Sequence, residues 1–207
     1  MARTSAPCYT LPDPMPAAAS ASPRRVLVLL ASARAEGNAE LMARAAVAAL
    51  PPDVEVRWLR LAGLALPAFE DIRHAGSGQY PAPSGDLARA LDDTLWATDL
   101  LVAAPSNWYS LPAPLKLFLD HWSGFLRVPG LDFKPRMGRK TMYVLCATSS
   151  GEDEAHLAEP LVNSLRYTAD YLHMNWGGAV LGNGNRPGEV LQDKAGMAAA
   201  ARLLLPA

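Results

Sequence analysis

The sequence is poor in the residues and runs that mark several large classes of protein. Cysteine occurs only at Cys8 and Cys146, which is too few for a disulfide framework or a cysteine metal cluster. Neither charge is in surplus, since 19 basic residues stand against 20 acidic ones, and this argues against a nucleic-acid surface. No apolar run approaches the roughly 18 residues that indicate a membrane span. We therefore expect a globular protein of the cytoplasm that binds neither nucleic acid nor membrane.

Apolar residues, by contrast, make up half of the 207 positions, enough for one domain with a sizeable core. We expect that domain over residues 24–207, after a flexible, proline-rich tail at 1–23. An alternative for the junction is a twin-arginine secretion signal, because Arg24 and Arg25 precede an apolar stretch. That stretch is shorter than the usual ~7–15 residues, so the signal is disfavoured.

Strand-like and helix-like segments alternate from residue 25 onward. The predicted strands are 25–31, 54–59, 99–104, 140–146 and 176–181, and the predicted helices are 38–50, 85–97, 112–122, 154–172 and 189–204. Residues 66–83 and 123–138 are rich in proline and glycine and are predicted to be surface loops. Five successive βα units favour an α/β fold with an open parallel sheet and helices on both faces. Ligands of such folds bind at the carboxyl ends of the strands.

The first βα loop has the features of a phosphate-binding loop. It reads Ser-Ala-Arg-Ala-Glu-Gly-Asn-Ala over residues 32–39 and connects a buried strand to a helix, whose unpaired N–H groups attract anions. Ser32, Arg34 and Asn38 add a hydroxyl, a cation and an amide. The alternative is an ordinary turn in which Gly37 relaxes the backbone and Asn38 caps the helix. The loop lacks the Gly-Lys-Ser/Thr of a P-loop and the three spaced glycines of a dinucleotide fold.

Two further loops follow the predicted apolar strands 99–104 and 140–146, at the same carboxyl edge of the sheet. In Pro105-Ser106-Asn107-Trp108-Tyr109, two aromatic side chains next to an amide are suited to a flat heteroaromatic ring. Core or subunit packing is the alternative for these aromatics. The other loop, Thr148-Ser149-Ser150-Gly151, offers small donors for the polar edge of such a ring.

Taken together, these motifs resemble those of the flavodoxin-like NAD(P)H-dependent FMN reductases and quinone reductases. Ser32, Arg34, Gly37 and Asn38 match that family's phosphate loop, and Pro105, Trp108, Pro112, Leu115, Lys116 and Asp120 match its second element without a gap. The resemblance runs over about residues 25–204. It implies a doubly wound sheet with strand order 2-1-3-4-5 and usually a homodimer or homotetramer. The match of 148–151 to the family's third flavin loop is by position only.

The implied function is an oxidoreductase that passes hydride from NAD(P)H, its co-substrate, through bound FMN to a quinone, a flavin or a similar small acceptor. No protein acid or base is required, because the flavin carries the chemistry. The implied FMN contacts are Ser32, Arg34, Gly37, Asn38, Ala39, Pro105, Ser106, Asn107, Trp108, Tyr109, Thr148, Ser149, Ser150 and Gly151. The alternatives are a flavodoxin-type electron carrier, which is usually strongly acidic, and a flavin-bound regulatory module.

Several residues outside these loops are assigned structural roles. Lys116 and Asp120, four apart, are predicted to pair on a helix. Cys146 is predicted to be a small buried hydrophobe rather than a nucleophile beside a histidine. The glycine-rich segment 182–188 is predicted to be a turn near the flavin or a subunit edge. Core aromatics are predicted at Tyr167, Tyr171 and Trp176. Three arginines either contact the 2′-phosphate of NADPH or are solvated on the surface: Arg127, Arg136 and Arg139.

Overall fold

A computed structural model describes residues 23–149 and 152–206 of the chain, with the side chains of 152–154 left out. Five parallel strands form one sheet in the order β2-β1-β3-β4-β5. The strands are β1 (Arg25–Leu30), β2 (Glu55–Arg60), β3 (Asp99–Pro105), β4 (Thr141–Thr148) and β5 (Asn175–Asn183). The helices are α1 (Asn38–Ala48), α2 (Gly85–Trp96), α3 (Ala113–Phe125), α4 (Phe133–Met137), α5 (Glu159–Tyr171) and α6 (Lys194–Arg202). The predicted fold class and strand order are confirmed.

The alternation of side chains along β1 explains why helices cover both faces of the sheet. Leu27 and Leu29 belong to one core cluster, which α2, α3, α4 and α5 complete. Val26 and Val28 point to the opposite cluster, which is completed by α1 and α6. Successive side chains of a strand point to opposite faces, so a continuous apolar run needs a helical layer on each side.

The structure corrects several predicted boundaries. The segment 123–138 is not simply a loop, because α3 continues to Phe125 and α4 occupies Phe133–Met137. The predicted helix 189–204 is a 3₁₀ turn at Glu189–Gln192 followed by α6. Asp193 separates the two, since its carboxylate accepts the Gly196 N–H at 2.8 Å. The predicted helix 154–172 likewise begins with a 3₁₀ segment, Glu152–Ala158, before α5.

Two predictions about buried side chains have opposite outcomes. Cys146 is fully buried in β4, as predicted. Tyr167 and Tyr171 are not core residues: 66% and 60% of their surfaces are exposed on α5. Helical spacing places both on the solvent side of α5, while Leu161 and Leu165 fill the core side. No helix among residues 23–149 and 152–206 is long and apolar enough to cross a membrane.

Residues 1–22 of the predicted tail lie outside the described residues. Within the domain, the parallel arrangement brings the carboxyl ends of all strands to one edge of the sheet. The loops after β1, β3, β4 and β5 therefore meet, and contacts between them are direct. Ser106 N–H donates to Ala147 O at 2.8 Å, and Gly184 N–H donates to Thr148 O at 2.9 Å.

Candidate functional site

A cavity of about 350 Å³ opens at the carboxyl edge of the sheet. Four loops enclose it, those that follow β1, β3, β4 and β5. The predicted site residues that line it are Ser32, Arg34, Gly37, Asn38, Ala39, Pro105, Ser106, Asn107 and Ser149, and the remaining lining residues are Ala33, Ala147, Gly184 and Asn185. The first predicted loop and parts of the second and third therefore share one space.

The β1–α1 loop presents donors to this cavity. Its Ser32 Oγ accepts the Arg34 N–H at 3.0 Å, which curls the loop. Helix α1 starts after Gly37, where no side chain caps its N–H groups. Within the described part of the chain, the exposed Arg34 guanidinium has no hydrogen bond or ion pair. An uncapped helix start beside an uncommitted guanidinium is suited to an anion with several oxygens.

Gly37 keeps the concave side of this loop open. A Cβ added at position 37 would lie 3.6 Å from Ser32 Oγ and 3.9 Å from the Arg34 carbonyl. A methyl group would therefore fit the protein without a clash, but it would occupy space among the donors. The backbone φ of Gly37 is −73°, so this glycine provides room rather than an unusual conformation.

Asn38 plays a different part from the one that its position suggests. Its side-chain amide donates to the carbonyls of Gly184 at 2.7 Å and Arg186 at 3.0 Å. Its Oδ1 accepts the N–H of Gly188 at 2.9 Å. Both amide hydrogens are thus committed, and the side chain neither caps α1 nor remains available to a ligand. Asn38 holds the loop after β5 against the loop after β1, and only its backbone N–H remains for the cavity.

The loop after β3 contains a strained aromatic turn. Ser110 N–H donates to the Asn107 carbonyl at 3.0 Å and closes a four-residue turn. The two central residues, Trp108 and Tyr109, have φ of +49° and +61°, values that favour glycine or asparagine. Trp108 is 93% exposed and Tyr109 52%. Such strain is typically retained at functional positions, but neither ring lines the cavity, which Asn107 reaches instead.

The loop after β4 contributes less than its sequence suggests. Ser149 lines the cavity, whereas Thr148 is buried and lines a separate depression beside β5 and α6. Ser150 and Gly151 lie outside the described residues. Gly184 and Asn185 complete the cavity on this side. They come from the segment 182–188, which the sequence indicated as a turn at this edge of the sheet but not as a set of site residues.

Several other candidate residues lie away from the cavity. Arg139 precedes β4 by two residues and therefore sits at the amino edge of the sheet, eight residues or roughly 26 Å from the carboxyl edge. Arg136 lies nearby on α4, and neither can meet a ligand phosphate in the cavity. Lys116 and Asp120 pair on α3 as predicted. Burial raises the pKa of the Cys146 thiol to about 12, which leaves it unreactive.

The cavity thus combines an anion-binding loop with a polar cleft, and its described lining contains no paired acid and base. None of its lining residues is a histidine, aspartate, glutamate or cysteine. Among residues 23–149 and 152–206, no group of such side chains is placed to hold a metal ion. This composition is suited to holding a phosphorylated molecule whose own atoms react, rather than to acid–base catalysis by side chains.

Known proteins with similar sequences or structures identify the family of the chain. A family model described as a flavodoxin-like fold matches residues 24–205. A protein of Bacillus subtilis (strain 168) named as an NAD(P)H-dependent FMN-containing oxidoreductase, YwqN, is 32% identical over 181 residues, covering 87% of this chain and 96% of that protein.

Solved structures agree with the sequence comparisons on the fold. The Trp repressor binding protein from Bacillus subtilis has a TM-score of 0.68 at 28% identity, covering 88% of this chain and 99% of that one. An FMN-dependent NADH-azoreductase from Bacillus anthracis, solved in complex with FMN, has a TM-score of 0.59 at 15% identity, covering 87% and 99%. The second likeness shows a shared fold only.

Proposed function

Because the chain belongs to the flavodoxin-like fold family, we propose that it is an FMN-containing oxidoreductase. It oxidises NAD(P)H and reduces a quinone, a flavin or a similar small acceptor. The observation that carries the proposal is the uncapped start of α1 beside the uncommitted Arg34 guanidinium, in a cavity whose described lining holds no acid–base pair. The relationship to the Bacillus subtilis oxidoreductase, at 32% identity, supports the same cofactor and co-substrate.

The residues around the cavity fit FMN in size and chemistry. The open side of the β1–α1 loop would hold the phosphate through Ser32, Arg34 and the N–H groups of Gly37, Asn38 and Ala39. Asn107 and Ser149 would bond the polar edge of the ring system, while Trp108 and Tyr109 would border it. When bound, FMN accepts a hydride from NAD(P)H and delivers the electrons to the acceptor.

The protein's part in this reaction is to bind and orient. Arg34 can bond two phosphate oxygens through its planar fork, which a lysine cannot do. The strained turn at 107–110 exposes two aromatic rings next to Asn107, which lines the cavity, and these rings would border a flat ligand. The cavity is partly open to solvent, so a nicotinamide and then an acceptor would use the same space in turn.

Anaerobic titration of the FMN-loaded protein with NADH and NADPH tests this proposal. Rapid bleaching of the yellow colour, followed by reoxidation with a quinone, is the expected result. A protein that stays colourless and shows no affinity for added FMN would contradict it. Steady-state turnover with both nicotinamides against quinones, free flavins and azo dyes then identifies the acceptor class.

An electron carrier without NAD(P)H turnover is the second candidate, and the same titration separates the two. A carrier would bind FMN and keep its colour in the presence of NADPH. The charge balance disfavours a carrier, since carriers of this fold dock through strongly acidic surfaces whereas this chain has a net charge of −1. A regulatory module would bind FMN and show negligible turnover with every acceptor.

We also infer that the protein is a homodimer or homotetramer of the cytoplasm. The groove between α3 and α5 supports association, because Tyr167 and Tyr171 expose large ring surfaces there beside Leu119 and Leu126. Exposed aromatic clusters of this kind are typical of subunit interfaces. Light scattering after size exclusion should give a multiple of the 22.1 kDa chain mass, and Tyr167→Lys should shift that value toward the monomer. Cell fractionation checks the compartment.

A further inference from the structure

Glu40 is a buried carboxylate that the proposed function does not use. It lies in the first turn of α1 with 2% of its side chain exposed. A negative charge near a phosphate site disfavours binding unless it is neutralised. Burial by itself raises the pKa of Glu40, but hydrogen bonds from Arg60 and Arg44 and from the Glu36 backbone outweigh it and bring the pKa below its ordinary value. Glu40 is therefore an anion at neutral pH, held by its partners.

Each oxygen of this carboxylate has a distinct task. Oε1 accepts a hydrogen bond from Arg44 at 2.7 Å on the exposed side of the helix. Oε2 accepts one from Arg60 at 2.6 Å and one from the backbone N–H of Glu36 at 2.9 Å. The same Arg60, at the end of β2, donates to the carbonyl of Arg34 at 3.1 Å. Glu40 and Arg60 thus bond the β1–α1 loop at two successive points.

The two bonded groups, the Glu36 N–H and the Arg34 carbonyl, determine the shape of the β1–α1 loop. Glu36 has a φ of +54°, a left-handed conformation that costs a residue other than glycine energy. The bond from its N–H to Glu40 offsets that cost. With Glu36 turned in this way, the chain enters α1 through Gly37, Asn38 and Ala39, which line the cavity. The bond to the Arg34 carbonyl orients the residue whose guanidinium is uncommitted.

We propose that Glu40 and Arg60 are positioning residues that shape the phosphate-binding loop and so determine how strongly FMN is preferred over unphosphorylated riboflavin. The inference rests on the proposed function. Neither side chain needs to touch the ligand. Their loss would leave the β3 and β4 loops unchanged, and these are the loops that would contact the ring.

The test compares Glu40→Met, which removes both acceptor oxygens, and Arg60→Met with the wild-type protein. We expect the dissociation constant for FMN, from quenching of flavin fluorescence, to rise about tenfold or more, because a hydrogen bond to a charged group is lost at each site. The constant for riboflavin should change less than twofold. Arg44→Gln is the matched control, since Arg44 bonds the other oxygen of Glu40 and contacts neither bonded point of the loop. It should leave the FMN-to-riboflavin ratio unchanged.

Hydrogen exchange without any flavin provides a second readout. The Glu36 amide should be protected in the wild type and in Arg44→Gln, and should exchange faster in Glu40→Met. Equal loss of FMN and riboflavin affinity, or unchanged exchange at Glu36, would overturn the inference. Absence of FMN binding to the wild type would instead refute the proposed function, while the exchange experiment would still decide whether Glu40 shapes the loop.

Discussion

Replacing Asn38 by aspartate tests the link between the loops after β1 and β5. The two side chains have the same shape, but aspartate cannot donate to the carbonyls of Gly184 and Arg186, which the amide reaches at 2.7 and 3.0 Å. It would also place a negative charge against both carbonyl oxygens. The bond from the Gly188 N–H would survive, because Oδ1 remains an acceptor.

The lost hydrogen bonds outweigh the gain from the helix dipole, so Asn38→Asp should destabilise the protein. Losing two hydrogen bonds at a site that is 8% exposed, and leaving their acceptors without donors, costs about 2–4 kcal/mol. An acidic side chain at the start of α1 gains only about 0.3–1 kcal/mol from the helix dipole. The net loss should therefore be about 1–4 kcal/mol. Most domains of this size would stay folded, because their stability is about 5–15 kcal/mol.

Urea denaturation monitored by circular dichroism measures this loss directly. Asn175→Asp is the matched control, because it adds the same charge at an exposed residue, the first of β5. The control should change the free energy of unfolding by less than about 0.5 kcal/mol. If Asn38→Asp were as stable as the control, the bonds from Asn38 would not hold the loop, and the reasoning would be wrong.

Three other perturbations have expected outcomes. Because burial raises the pKa of Cys146 to about 12, iodoacetamide at pH 8 should modify its peptide only after unfolding, as mass spectrometry will show. Gly177→Ala would place a Cβ inside the Tyr143 ring, so it should lower the free energy of unfolding in urea by about 1–3 kcal/mol. Gly63→Ala, which has open space around the added Cβ, should leave that free energy unchanged. Trp108→Ala should leave stability unchanged but weaken FMN binding about tenfold, the value of one stacking contact; unchanged affinity would remove Trp108 from the site.

The fold was predictable because its main signals are local. The unbroken apolar runs of β1 and β3 indicate central parallel strands, and both are buried on each face. Helix α4 gave no such signal, since its five residues include a proline and are too few to show a period. The break before α6 depends on one side-chain bond from Asp193 to the Gly196 N–H, which a continuous helical pattern does not indicate.

The candidate site was predictable only in part, for a related reason. Loops at strand ends could be located from sequence, and three of them meet as expected. Asn38 and Gly184, however, are separated by 146 positions, and no local pattern indicates that one holds the other. The same holds for Arg60 and the Arg34 carbonyl, which belong to different βα units. Side-chain roles that depend on such distant partners require the folded structure.

The β1–α1 loop is held from two directions: from β2 through Arg60 and Glu40, and from the segment after β5 through Asn38. Strands β2 and β5 are the two edges of the sheet, so the central loop acquires its final shape only after both edges have been added. Ligand capture during refolding would then mark the last step of assembly rather than an early one. A chain that ended before Gly184 would lose both the partner of Asn38 and the α6 layer of the core, and it should bind phosphate poorly.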